Sequence, residues 1–235
     1  PADGLWDHEA VRNSNDPIAA SDVRIGIPVT DVDAATRAYR ILLGAPAADR
    51  QWAAANGSLV LLDANSDLSV DFVVPDEARA CAQLERRGLS ATDHAPIGVT
   101  EAIGPEVEWP VLDHIVLTHS DADAAIALYA GRFGLSLRRV RPLGDELAQL
   151  FFRTSTVVVE VVAGPAMADR DRFGGVAWLT EDIDADQERI VEAGLDTSEV
   201  REGRKPGTRV CTVRERVLGT PTLLIEQSPR LDDMS

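Results

Sequence analysis

Two side chains in this sequence have types that do chemistry together. They are His114, in the stretch LDHIVLTHSDADAAIALYAGRFGL that starts at Leu112, and Glu160, in VVVEVV. An imidazole nitrogen and a carboxylate oxygen are both good ligands for a divalent metal such as Zn, Fe, Mn or Ni. Without a metal the same pair can hold and move a proton, the carboxylate orienting the ring and raising its basicity. A catalytic metal site commonly uses about three protein ligands, and only two stand out. His94, His119 and Glu226 could supply a third, although such loop and strand-end residues are more often just solvated. A basic cluster, Arg201, Arg204 and Lys205 in TSEVREGRKPGT, could attract an anionic substrate. A solvated loop is the ordinary reading of such a cluster.

Strand periodicity decides whether the two groups can meet. Alternate residues of a strand face opposite sides, so His114, Val116 and Thr118 share one face of HIVLT, while Ile115 and Leu117 share the other and should pack on a helix. The same rule puts Glu160, Val158 and Thr156 on one face of their strand. If both polar residues leave the helix-packed side, they converge on the opposite one.

The elements that position them recur. The phrases LLGA, RRGL, RFGL and EAGL end four helical patterns at Gly44, Gly88, Gly134 and Gly194, where glycine suits a helix terminus. An apolar strand precedes each helix: RIGIPV, SVDFVV, HIVLT and GVAWLT. Acidic residues in TDVD, PDEA, HSDAD and EDIDAD lie between strand and helix, placed to cap the first turn. After the helix the third unit continues with LSLRRVR, ELAQLFFR and TSTVVVEVVAG, so the repeat reads as strand, helix and about three strands. Tyr129 and Trp178 are expected in the core, and Cys81 and Cys211 as two buried reduced thiols.

Composition narrows the partners. A formal charge of −16 over 235 residues repels phosphate backbones and anionic lipid heads, which argues against nucleic acid and membrane surfaces. No apolar stretch approaches the length of a membrane span, and PADGLWDHEAVRNSNDP has neither the basic start nor the apolar run of a secretory signal. The expectation is a cytoplasmic protein with a small-molecule ligand; a homodimer is compatible with this.

LDHIVLTHSDADAAIALYAGRFGL with VVVEVV, and GGVAWLTEDIDADQERIVEAGL, make the chain resemble the vicinal oxygen chelate superfamily, the glyoxalase, bleomycin-resistance and extradiol-dioxygenase group. The resemblance covers most of residues 22–228 and is weak from Ser90 to Glu108. It implies an α+β fold of four βαβββ modules in two tandem glyoxalase-like domains, with mixed curved sheets enclosing a cavity and helices outside. The domains are expected at 22–107 and 110–228, after an arm over 1–21 docked by Trp6 and before a tail over 229–235.

The family's metal ligands usually come from the first strand and the last strand of a module. His114 and Glu160 occupy those places in the third module. Gly175 and Leu223 occupy them in the fourth, with Glu226 beyond. In the first half the first-strand places fall to Arg24 and Ser69 and the last-strand place to Leu62 or Asp63. Arg24 could grip a ligand carboxylate or, as the favoured reading, bridge to Asp63 in a retired pocket, leaving the first half structural. The loop AGPAMADRDRFGG, with glycines near both ends, could rim the second pocket as a lid.

The implied function is a glyoxalase-like enzyme acting on a small oxygenated molecule by metal-assisted or acid-base enolisation, of lyase or isomerase type. The alternative is a metal-free protein that binds or sequesters a small molecule. Ring cleavage as a dioxygenase fits less well, since it would use two His and one carboxylate and Gly175 removes the second His.

Overall fold

The computed structural model describes residues 18–89, 97–101, 104–167 and 172–228. The expected arm around Trp6, the tail over 229–235, His94 and residues 168–171 of the candidate lid lie outside the described residues.

The first half builds β1 (Val23–Val29), α1 (Val32–Leu43), β2 (Gln51–Ala54), β3 (Gly57–Asp63), β4 (Ser69–Val73), α2 (Glu77–Arg86) and β5 (Ile97–Thr100). They form a five-stranded sheet in the order β2-β3-β1-β4-β5. The second half builds β6 (Leu112–His119), α3 (Ala122–Ile126), β7 (Ser136–Pro142), β8 (Ala148–Arg153), β9 (Val158–Ala163), β10 (Arg172–Thr180), α4 (Ile183–Glu192), β11 (Arg201–Glu202), β12 (Thr208–Val213) and β13 (Thr222–Gln227). These form an eight-stranded sheet in the order β11-β12-β13-β10-β6-β9-β8-β7.

In both sheets two parallel pairs meet at an antiparallel seam. In the second sheet the pairs are β6 with β9 and β10 with β13, and the seam joins β10 to β6. Strand, helix and three strands therefore occur twice in the second half. In the first half α1 is followed by two strands and α2, among the described residues, by one.

All four helices start as the sequence indicates. Asp31, Asp76, Asp121 and Asp182 each accept a hydrogen bond from a backbone N–H three residues on, at 2.7–3.0 Å. Each removes one of the unsatisfied donors of a first turn. The third helix differs from expectation in its second part: α3 continues as a π-helical turn over Ala127–Arg132.

Alternation sorts each strand between two faces. Ile25 and Ile27 of β1, Ile115 and Leu117 of β6, and Val159 and Val161 of β9 are fully buried on the helix-packed side, each contributing about 1.5–3 kcal/mol of burial. One apolar core runs through both halves and includes Tyr129 and Trp178, as expected. The Tyr39 hydroxyl donates to the Leu218 carbonyl at 2.9 Å, and Phe72 meets Phe133 edge to face at 5.4 Å. Asn56 bonds both the carbonyl and the N–H of Leu112, at 2.8 and 2.9 Å. The helix-bearing sides of the two sheets thus face one another, and the opposite, concave sides face away. Both cysteines are free, but only Cys211 is buried; Cys81 lies half-buried on α2, a correction to the expected pair of buried thiols.

Candidate active site

The concave face of the second sheet carries His114 and Glu160. β6 and β9 run parallel with Val116 opposite Glu160 and His114 opposite Val158, so the two groups sit diagonally on neighbouring strands. Such diagonal pairs lie about 7–8 Å apart at Cα, within reach of long side chains.

A residue that sequence reasoning missed stands beside them. The seam between β10 and β6 slips by one between Ala177 opposite His114 and Trp178 opposite Leu112, leaving Asp113 as the extra residue of a bulge. In a regular strand Asp113 and His114 would point to opposite faces. The bulge swings them together, and the His114 Nδ1–H donates to Asp113 Oδ2 at 2.7 Å. A carboxylate only accepts, so this contact fixes the ring tautomer and leaves Nε2 for other partners. The other oxygen of Asp113 accepts from Gln227 Nε2 at 2.6 Å, and Gln227 Oε1 accepts from Lys205 Nζ at 3.3 Å.

On the other side of the pair, Gln149 of β8 donates its amide to Glu160 Oε1. Gln149 is 6% exposed, and its own Oε1 is buried without a partner. An orphaned buried acceptor costs about 1–3 kcal/mol, so it is a natural place for a ligand donor or water.

The electrostatics favour a charged imidazole. Burial alone would lower the His114 pKa, but the hydrogen bond to Asp113, the charge of Asp113 and the charge of Glu160 outweigh it, and the net shift is upward. The ring thus holds its proton more firmly than a free imidazole, between two carboxylates.

The residues do not complete a metal centre. His114 and Glu160 offer two donors, and no group of three or more His, Cys, Asp or Glu side chains gathers among the described residues. Glu226 turns to the helix side, where its Oε2 accepts from the Ile183 N–H at 2.9 Å and caps α4. His119 turns the same way, its Nδ1 accepting from the Asp121 N–H at 2.9 Å. Gly175 brings no side chain: a second bulge at Gly174 leaves it at φ +152°, and an added Cβ would lie 2.9 Å from the Pro221 carbonyl oxygen.

The basic residues singled out from the sequence are dispersed. Lys205 reaches the site's margin through Gln227. Arg204 is exposed in the turn beside it. Arg201 belongs to the edge strand β11, four strands from β6, and lines a separate cleft of about 420 Å³ with residues 197–200 and Arg214.

The concave face of the first sheet is tightly packed at Gly26 and Gly98. Cβ atoms added at Gly26 and Gly98 would strike Ser69, Leu62 and the Asp71 carboxylate, and Gly104 lies against Ala53. The expected pairing of Arg24 with Asp63 is corrected. Asp63 accepts from Arg50 at 3.1 Å, whereas Arg24 sits opposite Asp71 on β4. Burial raises the Asp71 pKa and the Arg24 charge restrains the rise.

Residues 111–222 match the model of the Glyoxalase/Bleomycin resistance protein/Dioxygenase superfamily, so the second half of the chain is similar to that superfamily. A solved triple mutant of 4-hydroxymandelate synthase from Streptomyces coelicolor is 14% identical, with a TM-score of 0.64 over 90% of this chain and 93% of that one. At that identity the likeness concerns the fold alone, and it extends the paired arrangement over almost the whole chain. Methylmalonyl-CoA epimerase from Mycobacterium tuberculosis aligns at 20% identity over 52% of this chain and 91% of its own, with a TM-score of 0.43. No curated protein matches the chain.

Proposed function

We propose that the concave face of the second sheet is an acid-base site that moves a proton at a carbon beside the carbonyl of a small oxygenated molecule, the chemistry of an isomerase or lyase. The observation that carries this reading is His114 held between two carboxylates, with its Nδ1 committed to Asp113.

In this reading Glu160 removes the carbon-bound proton while the protonated His114 donates from Nε2 to the carbonyl oxygen, so that the enol forms without a free enolate. Asp113 keeps the ring oriented and charged, and Gln227 keeps Asp113 in place. The unpartnered Gln149 oxygen accepts from a substrate hydroxyl. General acid-base groups contribute about 10²–10⁴-fold each. No step is routed through a metal, because the converging donors among the described residues stop at two.

The test is deuterium exchange in D₂O, followed by NMR across a panel of small ketones and oxo acids. Wild type exchanges at least one of them. His114→Ala and Glu160→Gln each slow exchange by at least about 100-fold, and chelator leaves it unchanged. Exchange that survives both substitutions overturns the reading, as does a wild type that binds carbonyl compounds without exchange. Exchange that vanishes with chelator and returns with added divalent metal replaces it by a metal-assisted one.

A further inference from the structure

The registers of the second sheet set out what surrounds the pair. Glu160 lies opposite Phe151 of β8, and Phe151 lies opposite Arg139 of β7. One row over, Gln149 lies opposite Arg141, and His114, Val158 and Arg153 form a third row. Residues opposite one another on neighbouring strands share a face, so Arg139, Arg141 and Arg153 stand on the concave face that holds His114 and Glu160. None of the three guanidiniums makes a hydrogen bond or ion pair among the described residues, although Asp and Glu outnumber Lys and Arg by 39 to 23. Leu137, the residue before the β7 bulge, packs on the core, which confirms which way that strand faces.

The other flank of the same face is apolar. Ala177 and Leu179 of β10, Leu223 and Ile225 of β13 and Val210 of β12 form one cluster separate from the main core. Ala177 is the register partner of both His114 and Leu223, so this cluster begins directly beside the imidazole. The concave face therefore runs from guanidinium, past the aromatic ring of Phe151 and the acid-base pair, to an aliphatic wall.

Resting on the acid-base reading, we infer that the site takes an organic carboxylate with an apolar body, its anionic end toward Arg139, Arg141 and Arg153 and its apolar end on Leu179, Leu223 and Ile225. Strand spacing sets its length. Arg139 is two strands from Glu160 and Arg153 two strands from His114, about 10 Å in each case at about 4.8 Å per strand. An extended arginine covers most of that distance, which keeps the carboxylate within a few bonds of the reacting carbon. The three arginines set specificity by holding the charged end, and they take no part in proton transfer.

The probe is 4-oxo-4-phenylbutanoate with its methyl ester as the neutral match, bound to the full chain and measured by calorimetry at two salt concentrations. The expected result is at least a tenfold preference of wild type for the acid, weaker at the higher salt. Arg139→Gln/Arg141→Gln/Arg153→Gln removes the preference and keeps the melting temperature. Wild type that prefers the acid but exchanges neither compound leaves this inference standing while the acid-base reading fails, so the two failures are distinguishable. Equal affinity for acid and ester, a preference that persists in the triple variant, or no binding of either compound overturns it.

Discussion

Gly175→Ala probes why the fourth module contributes no ligand to the concave face. The substitution asks an L side chain to adopt φ +152°, a conformation that costs about 1–3 kcal/mol. The new methyl would also lie 2.9 Å from the Pro221 carbonyl oxygen and 3.4 Å from Pro221 Cβ. That carbonyl accepts from the Val176 N–H at 3.0 Å, so it moves only by disturbing the junction of β10 with β13, at a further cost of about 0.5–1.5 kcal/mol for a hydrogen bond. The two terms sum to about 1.5–4.5 kcal/mol, which for a chain of this size lowers the melting temperature by about 3–18 °C. Differential scanning calorimetry reads this directly. Gly131→Ala is the control: it sits in the π-helical turn with open space around its Cβ position, where the change should stabilise by about 0.5–1 kcal/mol. A Gly175→Ala protein that melts within 1 °C of wild type would refute the claim that backbone conformation, rather than chance of sequence, keeps this strand free of a ligand.

Two further outcomes follow from the contacts around the site. Because the folded His114 pKa is raised, its stabilisation is fully present below the ordinary imidazole value of about 6.5 and is lost as pH rises through the folded value. The melting temperature of wild type relative to His114→Gln should therefore stay level below about pH 6.5 and fall above it, and parallel curves would contradict the shift. Asn56→Ala leaves the Leu112 N–H and carbonyl without partners, at about 1–3 kcal/mol each, so urea unfolding should show a loss of about 2–6 kcal/mol; a loss below 1 kcal/mol would mean that this bond does not hold the start of β6.

The sequence carried the module pattern because its signals are local. An aspartate at each helix start, a glycine after each helix and period-2 apolar alternation all act within a few residues. The same alternation brought His114 and Glu160 to one face; Gln149 was not singled out, although the rule would have paired it with Phe151, since Leu150 and Phe152 between and beyond them are core residues. Asp113 was missed for an instructive reason. In LDHI the buried residues Leu112 and Ile115 are three apart instead of two, and that broken period is the mark of a bulge. Read as a regular strand, it sends Asp113 to the wrong side. The glycine pair at 174–175 signals the matching bulge on β10.

What no local pattern supplied was the pairing of strands distant in sequence. Arg24 was expected to meet Asp63, a residue on β3, but β1 also pairs antiparallel with β4, and the nearer carboxylate is that of Asp71. Arg201, Arg204 and Lys205 formed the conspicuous basic cluster because they are close in sequence, yet they lie at one edge of the sheet. Arg139, Arg141 and Arg153 look like ordinary solvated residues of an edge hairpin until register lines them up with Glu160 and His114. In a mixed sheet of this kind, charge that is dispersed along the chain becomes concentrated across it. The cation that a carboxylate ligand would meet is therefore set by strand order, and the group that would act on that ligand by a one-residue slip at the seam.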